Sequence, residues 1–287
     1  GRLKGVFHRM IQTIDGLLPD TDYEIMLVRA NEASETVTFH TEPEPITLNV
    51  RDFGAFGDGA HDDTSAIQAA ILCCPENARV LIPKGTYPVT ALFLKSDMIL
   101  ELQENAVLAG IYDRARTPIL PGQIEYDNED GYYNLGSWEG NPIDSFASMI
   151  TGIHVKNVTI CGKGVLDGRA DFENWWSRPK DKIRAWRPRM IFLNHCENIT
   201  VVGVTVQNSP AWNLHPYFSN QIRFLDMEVK GPANSHNTDG CDPESCTNVE
   251  IAGVHFSVGD DCIAIKSGKI YMGKKFKVPS KHIHIRQ

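Results

Sequence analysis

At 287 residues, with 42 % apolar and 22 % charged side chains, the chain has the size and composition of one large folded domain or two smaller ones. Its net charge of −8 excludes the broad basic face that nucleic acid requires, but leaves room for a local basic patch that holds an anionic substrate. No apolar run approaches the ~18 residues that read as a membrane-spanning helix.

Residues 1–45 read as a separate first unit. The opening GRLKGVFHRMIQTIDG lacks the apolar core of a secretory leader, which leaves the compartment open. Two short β-like runs, 23–30 and 35–40, flank a polar turn in the manner of a hairpin. The order Leu18, Pro19, Thr21, Tyr23 resembles the tyrosine corner of a fibronectin type III sandwich, of which only the last part would be present. Glu-Pro-Glu-Pro at 42–45 then reads as a stiff linker into a second unit, 46–287.

The second unit opens with glycines at 54, 57 and 59, followed by Asp62, Asp63 and Thr64 as candidate caps of a helix running to Cys74. Ile67, Ala70 and Ile71 fall on one face of it. Asp58, Asp62 and Asp63 are read as turn and cap residues, because the distal glutamate of a calcium loop is missing.

From residue 78 onward the pattern is short strands. Several share one template: a polar residue, often Asn, followed by alternating apolar positions. Aligning Val158, Ile199, Ile222, Val249 and Ile283 gives steps of 41, 23, 27 and 34 residues. A repeat in the twenties with insertions marks a stacked solenoid. Because the units are strands, the expected architecture is all-β, a right-handed parallel β-helix whose coils stack about 4.8 Å apart. The longer steps imply loops projecting from it. Cys161, Cys196 and Cys246 each lie three residues from an aligned position and are expected to stack inside. The seven cysteines fit neither a disulfide framework nor a zinc site, so no metal is expected from them. Asn157 and Asn198 open N-x-Thr sequons, but turn positions between coils explain them better.

Chemistry concentrates in 237–269, NTDGCDPESCTNVEIAGVHFSVGDDCIAIKSGK. Asp239 and Asp260 are 21 residues apart, close to one coil, so they should lie one above the other. Asp261 faces away from Asp260 in a regular strand, yet Gly259 permits a bend that brings both into one cleft. Three crowded carboxylates cannot all ionise cheaply. One raised acid beside ionised neighbours is what glycoside hydrolysis uses, a proton donor for the leaving oxygen and a base for water. Of the following lysines (266, 269, 274, 275, 277 and 281), Lys266 is placed to hold a carboxylate-bearing sugar, and the others read as a solvated face.

These motifs resemble glycoside hydrolase family 28, the polygalacturonases, over about residues 47–287. NTDG followed by GDDCIAIKSG carries most of the resemblance. FGAFGDGAHDDTSAIQAAI is similar to the helical cap of that family's β-helix, and GKGVLDG…WW and RPRMIFLNHCENITVVGVTVQNSPAWNLHP to its middle coils. The resemblance implies hydrolysis of α-1,4-galacturonosidic bonds by single displacement with inversion, by an exo-acting enzyme without cofactor. It makes Asp260 the general acid, and Asp239 and Asp261 the residues that orient and deprotonate water. Asn237 is expected at the substrate, and Arg189 and His215 are expected to line the cleft or to be structural. The family's later G-H-G and R-I-K motifs are expected beyond residue 287, which makes the sequence a piece of a longer enzyme, monomeric when whole. Its partner would be an acidic polysaccharide, which favours a secreted or periplasmic setting. Rhamnogalacturonan or another acidic glycan, a β-helix lyase, and a non-catalytic glycan-binding β-helix are the alternatives.

Overall fold

The computed structural model describes residues 11–286 apart from 27, 30–31, 34–35 and 126–131. Residues 1–10, and parts of the runs expected at 23–30 and 35–40, lie outside the described residues. The strands of 46–286 wind as a right-handed parallel β-helix. Eight strands, from Thr47–Asn49 to Lys281–Arg286, stack into the longest sheet. Six make a second sheet, from Gly85–Val89 to His255–Ser257. The third holds Leu92–Phe93, Ile150–Ile153, Ile191–Asn194 and Leu214–Tyr217. Two further rungs extend it through parallel bridges: Cys241 and Glu244 lie on Leu214 and Tyr217, and Ile263 and Lys266 lie on Cys241 and Glu244.

The register is the one the apolar template specifies. Val158, Ile199, Ile222, Val249 and Ile283 pair in that order, and Met98 and Ala78 continue the ladder below them. Of these, Val158, Ile199, Ile222 and Val249 are at most 1 % exposed. Burying each such side chain contributes about 1.5–3 kcal/mol. The residue before each rung is left-handed: Asn77, Asp97, Asn157, Asn198, Gln221, Asn248 and His282 have φ between 53° and 59°. Asn and Asp tolerate this conformation best, and their side chains continue the stack outside the sheet. Asn198 Nδ2 donates to Asn157 Oδ1 at 2.8 Å, and Asn157 Nδ2 to Asp97 Oδ1 at 2.7 Å. The two sequon asparagines thus sit at the turns.

Helix α1, Thr64–Cys73, closes the bottom of the coil with Ile67, Ala70 and Ile71 inward. Its side-chain cap comes from Asp62, whose Oδ1 accepts from the Thr64 N–H and hydroxyl. Asp63 instead accepts from the N–H groups of Phe56 and Gly57 and ties down the glycine loop. Cys196 and Cys246 are buried with Ser219 between them, which donates its N–H to the Cys246 sulfur and accepts the Cys196 N–H. Cys161 departs from expectation: it is half-buried and opposite Glu101, because the alternation that buries Val158 and Ile160 turns it outward.

Strands Asp22–Ile25 and Val37–His40 pair antiparallel, with Tyr23 stacked on Phe39. Leu18 N–H donates to the Tyr23 hydroxyl at 2.7 Å. Ahead of this hairpin, residues 11–15 run along the β-helix. Thr13 N–H donates to Asp226, Lys163 pairs with Asp15, and Ile11 lies against Gly253.

Candidate active site

Asp239 ends the turn after Thr238 and leads into the rung at Cys241. Its carbonyl accepts from the backbone and side chain of Asn213 in the coil below, and Gly240 N–H donates to Asp261 O in the coil above at 2.8 Å. These bonds place Asp239 beneath the Asp260–Asp261 pair, as one-coil spacing requires. The bend at Gly259 is held by its N–H donating to Thr238 Oγ1, and a side chain there would strike the backbone at Ser235 and Pro232. One carboxylate oxygen from each of Asp239, Asp260 and Asp261 lies within 4.8 Å of the others. Asp239 is buried, whereas Asp260 and Asp261 are exposed. Carboxylates this close suit a shared water or a small cation, and positive charge already reaches Asp239 from Lys266.

Lys266 Nζ lies 3.7 Å from Asp239, 3.0 Å from Asp242 and 4.6 Å from the Trp212 ring centroid. The sequence assigned it to a substrate carboxylate; in the structure its ammonium is engaged by the protein's own acids. Burial disfavours its charge, but Asp242 and Asp239 outweigh that and raise its pKa. Burial raises the pKa of Asp239; Lys266 opposes the rise and Asp260 adds to it. Asp242, at 0 % exposure, is pushed well above the usual carboxylate range by burial and then by Asp239. Lys266 sits close to Asp242 Oδ1 yet off the line of a good hydrogen bond, so neither Asp242 oxygen has a well-aligned donor.

His215 and Arg189 do not line the cleft surface. Both are at most 2 % exposed and form the layer beneath it. His215 Nε2 hydrogen-bonds the buried Glu244 at 3.0 Å, and burial lowers its pKa to about 4. The Arg189 guanidinium lies against Trp138, Trp212 and Phe192 and donates to the Ser137 carbonyl. A residue fully covered by its own fold can orient a binding surface but cannot contact what binds there. Asn237, at φ 55°, accepts from Arg187 Nη2 at 2.8 Å. Arg187 is itself buried and also donates to the carbonyls of Pro210 and His236, fixing the turn that carries Asp239.

Two features escaped the sequence reading. Asp242 was visible as a second acid three residues after Asp239, but nothing local indicated that it points at Lys266. The aromatic layer Trp138–Trp212–Trp186, with Trp138 stacked on Trp212 at 4.5 Å and tilted on Trp186 at 4.9 Å, joins three distant segments. It carries no periodic signal. Trp138 belongs to a hairpin, Ser137–Trp138 with Asn141–Pro142, whose Gly140 packs on Gly268 beside helix α2, Tyr271–Phe276. Glu139 pairs with Lys269, and Gly140 O accepts from Met272 N–H. A wide groove of about 550 Å³ lies elsewhere, on the long sheet around Arg223, Asn248 and His284. Its one acid, Glu250, is paired with Arg286, so it holds no second carboxylate like those gathered at Asp239.

Fold and carboxylate cluster together define the chain first as a parallel β-helix protein with a three-aspartate site. Comparison supplies the family: the chain belongs to glycosyl hydrolases family 28, which it matches over residues 123–279. Residues 47–110 also match the rhamnogalacturonase A/epimerase, pectate lyase-like family. A probable polygalacturonase of Vitis vinifera is 32 % identical over 82 % of this chain and 47 % of the relative. An exo-poly-alpha-D-galacturonosidase of Dickeya chrysanthemi is 28 % identical over 91 % of this chain and 50 % of its own length. The hyperthermoactive exopolygalacturonase of Thermotoga maritima superposes with a TM-score of 0.70 at 28 % identity, covering 84 % of this chain and 60 % of that one. The family 28 exopolygalacturonase of Yersinia enterocolitica gives 0.69 at 27 % identity, over 87 % and 51 %. The chain thus spans about half the length of the curated relatives it matches.

Proposed function

We propose that the protein hydrolyses α-1,4-galacturonosidic bonds of polygalacturonate by acid–base catalysis at Asp239, Asp260 and Asp261. The observation that carries this reading is the meeting of those three carboxylates, one buried and two exposed, within 4.8 Å. Asp260, open to the cleft, protonates the leaving oxygen. Asp239 and Asp261, joined across one coil by the Gly240–Asp261 bond, hold the attacking water and take its proton. The nearest oxygens come closer than the about 6.5–9.5 Å that separates the carboxyl groups of a two-carboxylate inverting site, where water lies between acid and base. With three carboxylates the water lies beside the acid, held by the other two, and single displacement remains open at the shorter distance. Relatives described as exopolygalacturonases support action from a chain end, as does the hairpin at 137–142 docked on α2. Residues 1–45 are read as a partial fibronectin type III-like module ahead of the catalytic unit, 46–287, with the tyrosine hydrogen bond to Leu18 in support.

Proton NMR of polygalacturonate digestion tests the proposal. A β-configured reducing end on the first-formed product, with no ultraviolet-absorbing unsaturated end, is the expected result. An α-configured first product would refute single displacement, and unsaturated ends would make the protein a lyase.

A further inference from the structure

Asp242 has no part in the three-carboxylate mechanism, yet it is the acid most tightly enclosed by the site. Its carboxyl is completely buried, one coil below Lys266, and shares that lysine with Asp239. A buried ionised carboxylate needs donors, and neither of its oxygens has a well-aligned one. A buried neutral carboxyl has a proton to give, and the acid that shares its lysine is Asp239, 3.7 Å from the Nζ that lies 3.0 Å from Asp242. We infer that Asp242 is a positioning residue that acts through Asp239: with Lys266 it clamps the Asp239 carboxylate from below and fixes the oxygen presented to water. This deepens the proposed function and rests on Asp239 being a water-activating carboxylate.

The arrangement divides the work on Asp239. Burial alone would protonate it and remove its basicity. Lys266 supplies charge from one side, and the Asp242 hydroxyl supplies a hydrogen bond from beneath that favours the ionised form of its partner. The other groups around this cluster do not replace that donor. Glu244 is committed to His215, Arg189 to the Ser137 carbonyl, and Cys241 is a buried thiol whose pKa is pushed up by burial and then by Asp242. Asp260 is on the cleft side of Asp239, where a donor would compete with water.

Two substitutions separate this role from simple packing. Asp242→Asn keeps a donor toward Asp239 and an acceptor toward Lys266 with nearly unchanged shape, and Asp242→Ala removes both. The expected result on oligogalacturonate is a kcat for the Asn variant within about 5-fold of the parent. The Ala variant should lose about 10²-fold in kcat at unchanged KM, the cost of misplacing a catalytic group by about 1 Å. The acid limb of its pH–kcat profile should move to higher pH, because Asp239 has lost a donor that favours its ionised form. Equal losses in both variants, or an Ala variant with an unshifted acid limb, would overturn the inference. If the Ala variant does not fold, the infrared carboxyl band decides: a protonated-acid signal near neutral pH that disappears in Asp242→Asn supports it, and no such signal overturns it. Asp239→Asn is the control. If it leaves activity intact, the proposed function fails on its own account, whatever Asp242 does.

Discussion

Replacing Lys266 by methionine distinguishes two uses of one cation. The structure sets Nζ 3.7 Å from Asp239, with the side chain 24 % exposed. At that distance, with an effective dielectric near 20, the attraction is about 4 kcal/mol. Asp242 shares the charge and solvent reaches the lysine, which leaves about 1.5–3 kcal/mol in favour of the ionised form of Asp239. The sign follows from the role of Asp239 as a base. It works ionised, removing Lys266 raises its pKa, and activity is then lost at a higher pH as the solution is acidified. Initial rates of reducing-sugar release from about pH 3.5 to 8 should show the acid limb displaced upward by about 1–2 units. The alkaline limb should stay, and KM should change by no more than about 3-fold. If KM rises more than about 30-fold while the acid limb stays fixed, Lys266 holds the substrate carboxylate, and its assignment to the protein's own acids is refuted.

Other outcomes follow from the same geometry. Gly140→Val or deletion of 138–141 should unseat the hairpin from Gly268 and α2, and chromatography of the products should change from one short saccharide to a ladder. Arg187→Met leaves the carbonyls of Pro210 and His236 and the amide oxygen of Asn237 without their buried donor; denaturant titration should show a loss of about 3 kcal/mol or more. His215 is buried neutral with its pKa lowered to about 4, so the unfolded chain binds the extra proton first as pH falls from 6.5. Its contribution is present above that pH and is lost progressively down to about 4, at a cost of about 3 kcal/mol. His215→Gln should remove that part of the pH dependence of unfolding.

How much of this was legible depended on where each signal lies. The rungs were readable because every coil repeats one local instruction: a residue that accepts the left-handed turn, then apolar positions at alternate places. Asn157–Val158 and Asn198–Ile199 show it plainly; Gln221–Ile222 and His282–Ile283 satisfy it less obviously. The steps of 41 and 34 residues also resolved, because insertions between rungs do not disturb the register at the rungs. Asp239 and Asp260 could be paired for the same reason, since one coil is a countable distance. Side-chain direction was not countable. Lys266 and Asp242 face each other through the curvature of the third sheet, whose rungs are two to four residues long and too short to show alternation. For His215 and Arg189 the sequence left cleft-lining and structural roles both open, because their depth depends on distant rings: Trp212 against both, and Trp138 against Arg189. Cys161 failed more simply: three residues after an inward position is an outward one.

The most direct measurement is the rate of Asp260→Asn on polygalacturonate, taken with its affinity for the same oligosaccharide. If the three carboxylates are one hydrolytic centre, kcat should fall by about 10²–10⁴-fold while the dissociation constant stays within a few-fold. An unchanged rate of reducing-sugar release would contradict the account outright.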